Sequence, residues 1–181
     1  MKFKIILFFL LVFAGNTYSQ RYVSKTSHVW FYSHTAMEDI EAHNRQAVSI
    51  LDPQTGDIQF SLLVKSFEFK VALMQEHFNE NYMESSTFPK SSFKGKITNL
   101  DQIDFKKDGS YKVIVTGDIT LHGVTKAIST EGTIDIVNGK PTAKAKFTIS
   151  PTDYNISIPS VVENKIAKSV EITIDAGYES N

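Results

Sequence analysis

The sequence predicts an all-β fold: seven or eight antiparallel strands closed into a barrel, with one short helix near residues 71–83 at a barrel end. Three observations carry that prediction. Apolar and polar residues alternate with period two along most of the chain after residue 20. Asn138-Gly139 lies between two such runs and is a strong two-residue hairpin signal, because both residues tolerate positive φ. One segment alone changes to helical spacing. Closure leaves no exposed sheet edge, which favours a barrel over a sandwich.

Ahead of the fold, Lys2 and Lys4 precede ten apolar residues, Ile5 to Ala14, and then a short polar stretch with Thr17 and Ser19. That is the order of a secretory signal peptide, and cleavage after Ser19 is expected. Ten residues are too few to span a bilayer as a helix, which needs about 20. The remainder, residues 20–181, is one domain in size, periplasmic or secreted, and free in solution after cleavage.

The first strand is read at Ser27-Val29-Phe31 and the next at Ile58-Phe60-Leu62-Val64. Then come Phe93-Gly95-Ile97, the long run Val113-Val115-Gly117-Ile119-Leu121, and Ile128-Thr130-Gly132-Ile134-Ile136. Ala143-Ala145-Phe147-Ile149 and Val170-Ile172-Ile174-Ala176 complete the set. Lys94, Lys112, Glu131, Asp135, Lys144, Lys146 and Glu171 occupy the alternate positions, so one face is wet. Turns are expected at residues 52–57 and 107–110, and residues 151–159, bounded by Pro151 and Pro159, cross outside the ladder. Val71, Met74, Phe78 and Tyr82 form the helical stripe, and Pro89 keeps the helix from extending.

Charge and composition exclude several functions. Without Lys2 and Lys4 the chain holds 17 basic and 20 acidic residues, no footprint for nucleic acid. With no cysteine there is no disulfide framework, thiol nucleophile, thiolate metal site or lipid-anchored thiol.

The segment Gly117-Asp118-Ile119-Thr120-Leu121-His122-Gly123-Val124-Thr125-Lys126 resembles a signature of the YceI-like family of exported lipid- and polyisoprenoid-binding proteins. Leu73-Met74, His77-Phe78, Tyr82, Phe88-Pro89 and Phe93 form a second match, and Asp153-Tyr154 with Lys165-Ile166 a third. The resemblance runs from about Tyr22 to Tyr178 and implies an elongated, lipocalin-like barrel of eight antiparallel strands enclosing the apolar tail of an amphiphile. The chain departs from the family pattern at residues 37–44, where many members carry a G-x-F segment. That leaves the identity of the lipid open.

Large residues alternate with Ser27, Gly95, Gly117, Gly132, Ala143, Ala145 and Ala176 on the inward face. Small residues there either leave a dry cavity or merely fit the taper of a filled barrel. A strand of about eight residues tilted by about 40° rises about 20 Å, long enough for one extended chain. On the cavity reading, the ligand contacts are Phe31, Phe60, Leu62, Phe93, Val115, Gly117, Ile119, Leu121, Ile134, Ala145 and Phe147 in the lumen. Phe67, Phe69, Leu73, Met74 and Phe78 belong to the lead-in strand and helix of a lid. The ligand is then a polyisoprenoid or similar single-chain amphiphile, carried or stored, with brief membrane contact and an open oligomeric state. A filled barrel serving as a non-enzymatic interaction or stress-response module is the alternative.

Catalysis finds little support. No G-x-S-x-G, P-loop or G-x-G-x-x-G segment is present. His34 with Glu38, and Asp39 with His43, are four apart and would share a face of a helix, but a solvated loop is the plainer reading, with no metal and no cofactor. His122 either fixes the turn before Gly123 or touches a ligand head group. Trp30 and Tyr32 point away from Phe31, towards an exterior patch or a covering loop.

Overall fold

A computed structural model describes residues 21–180; the expected signal peptide lies outside the described residues. The strands are β1 (Tyr22–His34), β2 (Asp39–Leu51), β3 (Asp57–Leu63), β4 (Glu68–Phe69), β5 (Lys90–Ile97), β6 (Gly109–Leu121), β7 (Val124–Val137), β8 (Lys140–Ile149), β9 (Val170–Gly177) and β10 (Glu179–Ser180). Eight of them form a closed antiparallel ring in the order β1-β9-β8-β7-β6-β5-β3-β2, with β2 returning to β1. The two-residue strands β4 and β10 add short pairings to β2 and β1.

β2 is the strand that periodicity did not reveal. Its inward residues are Ala42, Asn44, Ala47, Ser49 and Leu51, mostly small or polar, so the alternation carries no hydrophobic signal. The parity also slips between Asn44 and Ala47, opposite register shifts in β1 between Ser24 and Val29. Asn44 is fully buried and fully used: its Nδ2 donates to the Leu63 carbonyl at 2.9 Å and its Oδ1 accepts from the Gln46 N–H at 3.0 Å. Residues 34–43 therefore form a β1–β2 hairpin, in register from His34 opposite Asp39. Neither four-residue histidine–acid pair shares a helix face. His34 instead pairs with Asp39 across the turn, and His43 faces Glu41 and His28.

The hairpins follow turn chemistry. Asn138 and Gly139 have φ of 51° and 73°, and the Asp108 carboxylate accepts both their N–H groups at 2.8 and 3.2 Å. His122 and Gly123, at 49° and 73°, make the equally tight β6–β7 turn. At the β2–β3 turn, the Asp52 carboxylate accepts from the N–H groups of Gln54 and Thr55.

One end of the barrel is closed by a core of Leu51, Ile58, Ile97, Val113, Ile134, Ile136 and Tyr178, backed by Leu100, Ile103 and Phe105. Tyr178, 2% exposed, hydrogen-bonds Ser49 Oγ at 2.6 Å, which satisfies its hydroxyl inside that core. The helix sits at the opposite end: α1 (Ala72–His77) continues as a π-helical turn, Phe78–Tyr82. The wider π turn shifts the stripe. Met74, Phe78 and Tyr82 are half-buried and Met83 is buried, while Val71 is 46% exposed.

Candidate functional site

Between the two ends lies an apolar cavity of about 150 Å³. Its walls come from Val29 of β1, Ile58, Phe60 and Leu62 of β3, Phe93 and Ile97 of β5, and Val113, Val115, Ile119 and Leu121 of β6. Ile128, Thr130, Gly132 and Ile134 of β7, Ala143, Ala145, Phe147 and Ile149 of β8, and Ile172 and Ile174 of β9 follow, with Phe67 above and Ser61, Ser91, Ser92 and Thr133 among the polar residues of the lining. The charged lining residue, Lys144, turns its ammonium to Asp135 at 3.0 Å. No hydrogen-bonding head group is asked for by such walls; the site selects apolar surface.

Ten expected positions line this cavity: Phe60, Leu62, Phe67, Phe93, Val115, Ile119, Leu121, Ile134, Ala145 and Phe147. Val29, Ile58, Ile97, Val113, Ile128, Ile149, Ile172 and Ile174 also line it, and the same alternation already pointed them inward.

Gly117 does not open space. A side-chain carbon there would meet Gly95 Cα and the Lys94 carbonyl at 2.4 Å and the Phe93 ring at 2.8 Å. Gly95 is covered by the same ring. These glycines let neighbouring backbones and one aromatic ring approach closely, so the volume expected from them is occupied. Ser27 and Ala176 are likewise packed: Ser27 hydrogen-bonds Ser24 at 2.8 Å, and Ala176 belongs to the closed-end core. Gly132, Ala143 and Ala145 line the cavity, although a side-chain carbon at Gly132 would meet the Lys144 carbonyl at 2.5 Å, so Ala143 and Ala145 are the small residues that border empty space.

Phe31, Phe69 and Phe78 stand at the helix end, where they meet Phe67 in a cluster of rings 5.0–5.7 Å apart. These four phenylalanines reach the cluster from β1, the β3–β4 connection, β4 and the π turn. Beside it, Val64, Met83, Tyr154 and Ile156 make a second cap over Ile119, Leu121 and Ile149. Met74 is half-buried, whereas Leu73 is 57% exposed and faces away from this packing. Neither α1 nor the π turn holds a buried residue; the buried members of the two caps, Phe67 and Met83, lie just outside them. Burial raises the Tyr82 and Tyr154 phenols above their ordinary range, aided at Tyr154 by the Asp153 charge, which keeps both neutral.

None of the five histidines lines the cavity. His122 is 8% exposed and lies edge-on to Phe88. Its Nδ1–H donates to the Tyr154 carbonyl at 3.0 Å, tying the β6–β7 turn to the Pro151–Tyr154 turn. Its Nε2 lies 3.6 Å from the Glu84 carboxylate. Trp30 is half-buried against the side chains of His28 and His43. Among the described residues, no helix is long and apolar enough to cross a membrane.

The chain matches the YceI-like domain over residues 21–178. No curated protein matches it by sequence. Several solved structures share its fold. A polyisoprenoid binding domain from Saccharophagus degradans, implicated in plant cell wall breakdown, superposes with a TM-score of 0.77 at 14% identity, covering 90% of this chain and 99% of that one. Burkholderia cenocepacia BcnA gives 0.70 at 18% identity, over 83% and 95%. The Campylobacter jejuni YceI protein gives 0.58 at 17% identity, over 75% and 80%.

Proposed function

The chain belongs to the YceI-like family, and from that premise we propose that its lumen binds the apolar tail of a polyisoprenoid or similar single-chain amphiphile, for transport or storage outside the inner membrane. The observation that carries this reading is the cavity itself: walled almost wholly by apolar side chains, bounded by a closed core at one end and an aromatic cap at the other. The Saccharophagus degradans domain, named for polyisoprenoid binding, supports the ligand class. The first nineteen residues, with their signal-peptide order, support export.

The lining runs along β6 from Val113 to Leu121, about 20 Å along the axis of a barrel with the usual strand tilt. Such a slot suits a straight chain. Its volume, however, is close to that of a cavity that holds benzene, about six carbons, so it accommodates roughly one isoprene unit as it stands. A longer tail enters by displacing side chains, among them the half-buried Phe31, Phe69, Phe78 and Met74 of the cap. Exchange with a membrane then takes place at the capped end. Leu73 is not among the proposed contacts.

A second reading has its own support. The Phe93 ring over Gly95 and Gly117 fills space that small residues would leave, as in a barrel packed by its own side chains. Organic extraction of protein purified without detergent, followed by mass spectrometry and by titration with farnesol, separates the two. Stoichiometric lipid or saturable farnesol uptake is expected. Lipid-free protein that takes up no farnesol refutes the carrier.

A further inference from the structure

On the outer wall of the barrel, away from the lumen, His28 of β1 and His43 of β2 turn ring nitrogens towards each other: His28 Nε2 and His43 Nδ1 are 3.0 Å apart. We propose that this pair is a two-imidazole chelate for a divalent transition metal of tetragonal preference, copper(II) first, independent of the lipid site.

The hydrogen-bond chain assigns the protons in the metal-free protein. Arg45 Nη1, which only donates, lies 3.4 Å from His28 Nδ1, so that nitrogen is the acceptor. His28 therefore carries its proton on Nε2 and donates it to His43 Nδ1. His43 Nε2 then bears a proton and faces the Glu41 carboxylate at 3.6 Å. A metal takes the place of the shared proton. The His28 proton moves to Nδ1, the exposed Arg45 swings to water, and both imidazoles stay neutral while each gives a lone pair.

Three features of the site favour this. Two imidazole nitrogens bound at about 2.0 Å stand about 2.8 Å apart at right angles and about 3.3 Å apart at a tetrahedral centre, so the observed 3.0 Å suits a chelate, and the general order of affinities for imidazole nitrogen puts copper(II) first. The Glu41 carboxylate lies 3.6 Å from the far nitrogen of His43, on the side where a metal-binding histidine commonly has its outer partner. Asp175, opposite His28 in the β1–β9 ladder, adds negative charge nearby. Among the described residues, no group of three His, Cys, Asp or Glu closes round one ion, so water completes the coordination.

The single tryptophan provides the readout, since the Trp30 ring stacks on His28 with centroids 4.4 Å apart. Tag-free protein, folded by circular dichroism, is titrated with copper(II), nickel(II) or zinc chloride in a non-chelating buffer. Copper(II) is expected to quench Trp30 with 1:1 saturation, and affinities to fall in the order copper, nickel, zinc. His28→Gln and His43→Gln should each weaken copper binding by at least about tenfold through loss of the chelate. Arg45→Gln should tighten it, a response that a purely structural histidine pair does not give, and His34→Gln and His77→Gln should leave it unchanged. Electron paramagnetic resonance of the copper complex should report two nitrogen ligands in the wild type and one in either variant. Copper affinity unchanged in both His28→Gln and His43→Gln, or lost in His34→Gln or His77→Gln, overturns the proposal.

Discussion

Ala145→Phe is the sharpest perturbation of the lumen. Ala145 lines the cavity on β8, opposite Gly132 of β7. The substitution adds one phenyl ring beside an empty volume of about 150 Å³, which is the space a benzene molecule takes. The ring therefore fills the cavity, and stability should change by less than the 1–3 kcal/mol typical of overpacking. The ligand loses the space for about one isoprene unit. Five carbons at about 0.8 kcal/mol each come to about 4 kcal/mol, roughly a thousandfold in affinity. Urea denaturation and farnesol titration on the same preparations read the two quantities separately. Farnesol binding that survives intact in a folded Ala145→Phe protein places the ligand outside the lumen and refutes the reasoning.

Gly117→Ala should do the opposite, lowering the urea midpoint by the equivalent of about 1–3 kcal/mol while leaving farnesol affinity nearly unchanged. Its added methyl meets the Gly95 backbone and the Lys94 carbonyl rather than the cavity. Phe78→Ala removes ring contacts with Phe31, Phe67 and Phe69 and should cost about 2–3 kcal/mol, below the usual range for a buried phenylalanine because Phe78 is only half-buried. Hydrogen exchange of residues 72–82 should accelerate in that variant more than exchange of β6 and β7. The hydrogen bond from Ser110, then Lys144, hold the Asp135 carboxyl below the usual carboxylate range. The unfolded chain thus takes up the proton first, so the stability from this partly exposed group is present above about pH 4 and lost as pH falls below it. Asp135→Asn should flatten that acid limb in urea titrations at stepped pH.

Most strands of the barrel were legible because they set apolar side chains against a wet face at every second position, from Val113 to Leu121 above all. The tight turns were legible for an equally local reason: Asn138-Gly139 tolerates positive φ where most pairs do not. β2 was not legible, since Ala42, Asn44, Ala47 and Ser49 look like a polar loop until the Leu63 carbonyl and the walls around them are in place. The helix was recognisable by its stripe, but its continuation as a π turn, which brings Phe78 into contact with Phe31 and Phe67, depends on what the stripe packs against.

For the lumen the division is sharper. Along the strands with a clear alternation, sequence by itself determined which residues face inward, because side-chain direction along a strand is a property of the backbone pleat. How much space they leave was decided only by tertiary structure. Gly95 and Gly117 are equally small, and both are covered because the Phe93 ring leans over them from the same face. Gly132 and Ala145 both line the cavity, yet a side-chain carbon at Gly132 would meet the Lys144 carbonyl at 2.5 Å, so that glycine serves a close backbone approach while Ala145 borders the space that is left. A cavity is what remains after every neighbour has taken its rotamer, and no period in the sequence records that remainder.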